Sequence, residues 1–420
     1  MTKRILSSVL LTVLLGTFSI LVPAHAAESI MPQKINMPSG DMAPRKPSKP
    51  LEMLSSAEAD SLNEKMAQYE PSGKSLLINN ADSFFYYENI DPIAKEIYDV
   101  MLEMAKDPVS EGNIGLMMTD LDPSGDEYYY EFNLAYRALG FDHPELFWLY
   151  AMEETEITFS SEVININGFY MVYFYFEEPY ENFEADMTAF NQAASMFLAD
   201  IDTGISEYQT VKQIHDKLIN LVSYNKPVAQ GITPAQKGMD LAHTAYGALV
   251  ADSAGNKNSP VCDGYSLAFE YLLQQCGIKA AFMGGLAGNT LDDAGMHAWN
   301  IVSINDKWYE IDSTWDDDSE GWLELLEPYR GTDTYDYYME ALGDPGFVEK
   351  LDHHLFMVST EKIRYYRPGN NYTYVTRDMT TEISFVEDSV HVRLGEFKDF
   401  IEGDPDIELF SLVPIALYNY

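Results

Sequence analysis

Three short segments hold the residue types that thiol chemistry needs. The first is Ser259-Pro260-Val261-Cys262-Asp263-Gly264-Tyr265-Ser266, followed by an apolar run through Leu267, Phe269, Leu272 and Leu273 to Cys276-Gly277. That pattern puts Cys262 at the start of a helix of about a dozen residues. Unpaired backbone amides and the helix dipole stabilise a thiolate there, and the same amides can donate to an oxyanion. Asp263 opposes the thiolate, so a cation must compensate. The second segment, Met296-His297-Ala298-Trp299-Asn300-Ile301-Val302, has a histidine opening a strand. The third is Lys307-Trp308-Tyr309-Glu310-Ile311-Asp312-Ser313-Thr314-Trp315. Asn305-Asp306 reads as the turn between the last two, so they form a hairpin that brings His297 and Asp312 together on neighbouring strands. An Asp bonded to one imidazole nitrogen fixes the tautomer, and the other nitrogen can take the proton of Cys262. The imidazolium so formed is the cation expected to offset Asp263.

The elements that must hold these residues follow from periodicity. Val211, Ile214, Leu218 and Leu221 mark an amphipathic helix that ends before Tyr224-Asn225-Lys226-Pro227. Strand-like runs cover 280–283, 298–304 and 307–311. Upstream, Ile93, Ile97, Val100 and Met101 recur at helical spacing, as do Tyr129, Phe132, Ala135, Tyr136 and Leu139. Asn167-Gly168 between two strand-like runs signals a hairpin. The organisation expected is a signal peptide over 1–26, an extended tether over 27–50, an α+β accessory domain over 51–200, a catalytic domain over 201–375 and a strand-rich extension over 376–420.

The leader reading rests on Lys3 and Arg4, the apolar run Ile5 to Val22 and the small residues of Ala24-His25-Ala26. The competing reading, a membrane anchor, lacks a basic stop-transfer segment behind it. Secretion is therefore expected, with no membrane span after cleavage. The net charge of −41 excludes nucleic acid and anionic membranes as natural partners, and it leaves open a preference for basic polymers. Two cysteines are too few for a disulfide scaffold. On one helix Cys262 and Cys276 stand roughly 20 Å apart and cannot pair, leaving a reactive thiol as one explanation of Cys262.

Two metal patterns are present and neither is persuasive. Asp120, Asp122, Ser124, Asp126 and Glu131 have the spacing of a calcium loop, but Pro123 and Glu127 fit it poorly, and an acidic turn ahead of a helix explains the same residues. His353 and His354 lack a third ligand at metal-site spacing. No metal or other cofactor is expected.

Cys-Asp-Gly-Tyr at 262–265, His-Ala-Trp-Asn at 297–300 and Trp-Tyr-Glu-Ile-Asp-Ser-Thr-Trp at 308–315, in that order, resemble the transglutaminase-like superfamily, in particular secreted bacterial members related to cysteine proteases. The resemblance covers about residues 205–320. It implies an α+β, papain-like core, with the cysteine helix packed on an antiparallel sheet that bears the histidine and the aspartate. It also implies Cys262 as nucleophile, His297 as base and Asp312 as its orienter. The family places a helper of the oxyanion before the nucleophile, which the resemblance carries to Tyr246 in Tyr246-Gly247-Ala248-Leu249.

The activity expected is attack on an amide through a thioester acyl-enzyme, with a protein or peptide of the cell wall or extracellular space as substrate. Water as acceptor gives a peptidase or amidase, and a lysine amine gives a cross-linking transglutaminase. Hydrolysis is favoured because water needs no second site. A non-catalytic surface binding protein on the same fold is the alternative from another class.

Overall fold

The structure is a computed structural model and describes residues 84–106, 108, 114–150, 159–166, 169–176, 183–229, 241–250, 258–292, 294–317, 330–332, 335–336, 339, 352–366, 373–375, 382–384, 389–399, 401 and 403–420. The expected signal peptide and tether, and the Asn167-Gly168 turn, lie outside the described residues.

Strand patterning and turn chemistry build the central sheet. β4 (Ala280–Gly288) pairs antiparallel with β5 (Gly295–Ile304), and β5 with β6 (Lys307–Ile311). Asn305 and Asp306 both take positive φ, 50° and 62°, which is what a two-residue hairpin turn requires. On the other edge of β4 lies β10 (Ser389–Arg393), followed by the short β7 (Tyr365–Tyr366), giving the order β6-β5-β4-β10-β7. A strand from the expected extension is thus an inner strand of this sheet.

Helix Cys262–Gln275 packs against β4 and β5, with Phe269 and Leu272 fully buried. Across it runs helix Glu207–Leu221, whose Val211, Ile214 and Leu218 are fully buried, as their spacing predicts. Upstream, helices Pro92–Ala105 and Asp126–Asp142 pack on each other. A three-stranded antiparallel sheet of β1 (Ile114–Thr119), β3 (Phe169–Phe176) and β2 (Phe159–Ile166) completes that part. A separate two-stranded pair, β8 (Thr373–Val375) and β9 (Glu382–Ser384), lies near the end of the described chain.

The hydrophobic core runs unbroken across residue 200, the expected domain boundary. Phe141 stacks on Phe282 of β4 at 4.9 Å and meets Phe410 at a tilt, 5.2 Å between ring centres. Tyr86 donates its hydroxyl to the carbonyl of Phe282, and Gln274 Nε2 donates to the carbonyl of Asp142 at 3.0 Å. The fold is α+β, helices around a curled antiparallel sheet. No helix among the described residues is long and apolar enough to cross a membrane.

Candidate active site

Cys262 is the first residue of its helix, capped by the extended Val261. Two backbone features hold this end in place. Val261 N donates to the carbonyl of Ala242 at 2.9 Å. A Cβ on Gly264 would sit 2.4 Å from that same carbonyl, so only glycine allows the 241–244 segment to cross this closely. Asp263 has a partner of its own. It meets Nδ1 of His243 at 2.6 Å, so His243, rather than the expected His297, faces its charge.

His297 is the third residue of β5, and its Nε2 donates to Oδ2 of Asp312 at 2.7 Å. Asp312 lies one residue past β6 instead of on it. Its Oδ1 accepts the amides of Thr314 and Trp315 at 3.0 and 3.1 Å, capping the short helix Ser313–Asp316. With Nε2 committed, Nδ1 is the nitrogen left for the thiol, and Cys262 lies within hydrogen-bond reach of the ring. Burial pulls the imidazole down, but the charge and bond of Asp312 and the bond to Cys262 outweigh it and hold His297 up at about 10. Burial pushes Asp312 up, and His297 and His391 more than reverse that, holding it well below the usual carboxylate range.

His391 was not singled out by the sequence. From β10, its Nε2 donates to the same Oδ2 of Asp312 at 2.8 Å. The fully buried carboxylate therefore receives four donors, two amides and two imidazoles. Burial lowers the pKa of His391, and the bond to Asp312 does not restore it, so this ring is neutral beside a charged His297. Gly285 of β4 makes the arrangement possible. It lies opposite His297 on one side and Arg393 on the other, and a Cβ there would collide with the Trp299 ring at 2.3 Å. Trp299 fills that space, 6.0 Å from His297 and 5.3 Å from His391 between ring centres. Its Nε1 donates to the buried Glu310, which also binds Arg393 and Thr360. Trp315 closes over both histidines, at 6.0 and 5.2 Å.

Tyr246, the expected helper of the oxyanion, has a carboxylate partner of its own. The hydroxyl of Tyr246 faces Asp186 on helix Phe183–Leu198 at 3.5 Å, because its ring packs on Phe147 at 4.6 Å. Tyr224 stands near enough to the thiol to feel its charge. Burial, then the charges of Cys262, Asp263 and Asp312, raise its hydroxyl pKa, which locates it among those groups. Asn225 N to Pro260 O, at 2.9 Å, and Ser223 N to Asn258 O, at 2.8 Å, lash its segment to the approach of Cys262.

The calcium spacing does not gather ligands. Asp122 Oδ1 accepts the amide and hydroxyl of Ser124 at 2.9 and 2.7 Å, while Asp126 and Glu127 sit in the first turn of the next helix. Glu131 is bonded to Asp91, a residue outside the spacing of that loop. Cys276, at the far end of its helix, is a free thiol raised in pKa by burial. Among the described residues, ligand-type side chains converge in two other places: His297, Asp312 and His391, and separately His215, Asp216 and His353. In the first group a metal would have to displace the protons that bind Asp312.

Residues 196–313 match the profile of the transglutaminase-like superfamily. This stretch is a transglutaminase-like domain. It includes all three residues of the Cys262–His297–Asp312 constellation, whereas His391 lies beyond it. The chain is similar to the crystal structure of a TGase, at 17% identity and TM-score 0.24, over 38% of this chain and 45% of that one. It is also similar to a candidate cysteine protease from Cytophaga hutchinsonii, at 15% identity and TM-score 0.22, over 37% and 62%. A candidate protease from Parabacteroides distasonis shows 11% identity and TM-score 0.19, over 37% and 36%. The chain thus spans less than two thirds of the length of each of these solved proteins. No curated protein matches it.

Proposed function

We propose that this protein is a secreted thiol enzyme that cleaves amide bonds in a protein or peptide outside the cell. The observation that carries the reading is the bonded chain from Cys262 through His297 to a buried Asp312, with the thiol at a helix N-terminus. Cys262 Sγ attacks the amide carbonyl carbon, and negative charge develops on its oxygen. The hydroxyl of Tyr224 and the first amides of the helix are the donors for that oxyanion. The C–N bond then breaks as His297 gives its proton to the departing amine, leaving an acyl thioester. Water attacks the thioester, His297 takes a proton from it, and a carboxylate leaves as the thiolate is restored. A lysine amine in place of water would make the reaction a cross-link. Water is favoured because it needs no second binding site. Secretion rests on the basic, apolar and A-x-A order of residues 3–26.

The test is the rate of Cys262 alkylation by iodoacetamide between pH 5.5 and 9, in the mature protein and in His297→Ala. Fast alkylation persisting at pH 6 and slowed at least about tenfold by the substitution supports the reading, since the thiolate is the reacting species. Identical slow profiles in both proteins would overturn it and favour a binding protein on the same fold. With an active thiol, peptide libraries with and without an added amine donor separate hydrolysis from cross-linking.

A further inference from the structure

Away from the thiol, helix Glu207–Leu221 carries His215 on the face that also buries Val211, Ile214 and Leu218. His215 is fully buried, with the rings of Phe356 and Phe269 at 4.7 and 6.1 Å. Its Nε2 faces Oδ2 of Asp316 at 3.2 Å. The other oxygen of Asp316 accepts the amide of Leu355 at 2.8 Å and stands 3.2 Å from Nδ1 of His354. On the opposite side of the ring, Nδ1 of His215 faces Oδ1 of Asp216 at 3.2 Å, and that oxygen meets Nε2 of His353 at 2.6 Å. The ammonium of Lys212 closes the group, 2.7 Å from Asp216 Oδ2 and 3.1 Å from His353 Nε2.

We propose that His215, Asp216 and His353 bind a divalent cation of the zinc class. Two imidazoles and a carboxylate are the donor set such a borderline ion prefers. Their ligand atoms already lie within 4.8 Å of one another. A tetrahedral ion with bonds of about 2.0–2.2 Å needs them roughly 3.3–3.5 Å apart, so the 2.6 Å contact of Asp216 with His353 must widen, which small side-chain rotations allow. The outer shell is built as well. A buried carboxylate on Nε2 of His215 keeps a proton there, so the proton that Nδ1 gives to Asp216 is the one an ion would displace. Lys212 shows that positive charge is accommodated at this point, because its ammonium reaches the same carboxylate and the same imidazole nitrogen a metal would use. On binding, the ion takes Nδ1 of His215, an oxygen of Asp216 and Nε2 of His353. Any proton on those two nitrogens is released to solvent, and Lys212 swings outward on its flexible stem. Water fills the fourth position, on the side where Asp216 is 37% exposed. The site clamps residues 137 positions apart and, through Asp316, braces the short helix that Asp312 caps.

The experiment uses the full mature chain in a Cys262→Ser background, so that the thiol–imidazole pair cannot compete for metal. After stripping with chelator and gel filtration, Zn²⁺ and Co²⁺ are titrated, with bound metal counted by elemental analysis and Tm recorded. The expected result is one equivalent bound and a Tm rise of several degrees at roughly a thousandfold excess over Kd. His353→Ala and Asp216→Asn should abolish both effects. Lys212→Ala keeps every ligand and should bind about fivefold more tightly, since no ammonium must leave. No bound metal in the parent, or unchanged binding in the two ligand variants, would overturn the proposal. If those variants do not fold, unchanged or weaker binding by Lys212→Ala overturns it instead.

Discussion

His297 and His391 donate to one and the same oxygen, Oδ2 of Asp312, at 2.7 and 2.8 Å. The first ring is held charged and the second neutral, in part because the charge of His297 itself disfavours a second proton on its neighbour. Asp312 therefore balances one cation while being steered by a second, uncharged ring.

His391→Ala removes one of the two donors on that oxygen. A hydrogen bond to a charged group is worth about 1.5–3 kcal/mol, so alkylation of Cys262 at pH 7 should slow about 10- to 100-fold. His391→Gln, which can still donate, should recover part of the loss. A rate equal to the parent's would mean that His297 and the capped helix hold Asp312 unaided.

Tyr224→Phe separates oxyanion binding from thiol activation. Hydrolysis of an amide substrate should fall about 100-fold, as for other lost oxyanion donors, while alkylation by iodoacetamide, which forms no oxyanion, stays near the parent rate. Equal losses in both assays would place the hydroxyl in thiolate formation instead. Tyr246→Phe should leave both rates close to the parent's.

Arg393 and Glu310 form a buried ion pair that anchors Trp299 beneath the histidines. Arg393 Nη1 also donates to the carbonyls of Val413 and Pro414 at 3.1 and 2.9 Å. Arg393→Met strands the carboxylate and should cost about 3–5 kcal/mol in denaturant unfolding. Adding Glu310→Gln to that variant should recover a good part, because no uncompensated charge then remains.

Glu131 makes a pH-dependent contribution whose sign is fixed. Burial, then the bond to Asp91 and its charge, raise the carboxyl from 4.5 to about 8, so the folded state holds the proton. Stability from this pair is complete below the unfolded value and is lost as pH climbs to about 8. Asp91 meanwhile caps helix Pro92–Ala105 through the amides of Ile93 and Ala94. Glu131→Gln keeps a donor toward Asp91 at every pH. Its Tm should equal the parent's at pH 4 and exceed it at pH 8.5, and a gap of the opposite sign would sink this account.

Cys262, His297 and Asp312 were legible because each is marked by its neighbours within a few residues. A helix start, a strand start and an Asn305-Asp306 turn are local signals, and a two-residue turn leaves little freedom in the register of β5 on β6. Other relationships depend on which distant segments meet. Val390-His391-Val392 reads as a strand, but nothing local says that it lies beside β4, where Gly285 and Ala287 leave room for Trp299 and His391. Tyr224 and Tyr246 both precede the nucleophile, and only packing on Phe147 draws the second away. Residues 120–131 erred the other way: spacing matched a calcium loop while the Glu131 carboxyl had a nearer partner. His353 showed no third ligand because His215 and Asp216 come to it from a helix far back in the chain.

The place of β10 has a temporal consequence. The contacts that finish the pocket, His391 to Asp312 and Arg393 to Glu310, close loops of 79 and 83 residues. As a chain threads out of the ribosome or across a membrane, helix Cys262–Gln275 and the β5–β6 hairpin can form from nearby residues, but the supports of Asp312 and Trp299 arrive last. Until the sheet is complete, the newborn chain carries Cys262 and His297 without the buttress of Asp312 and Trp299, and closure of β10 acts as a built-in safety catch.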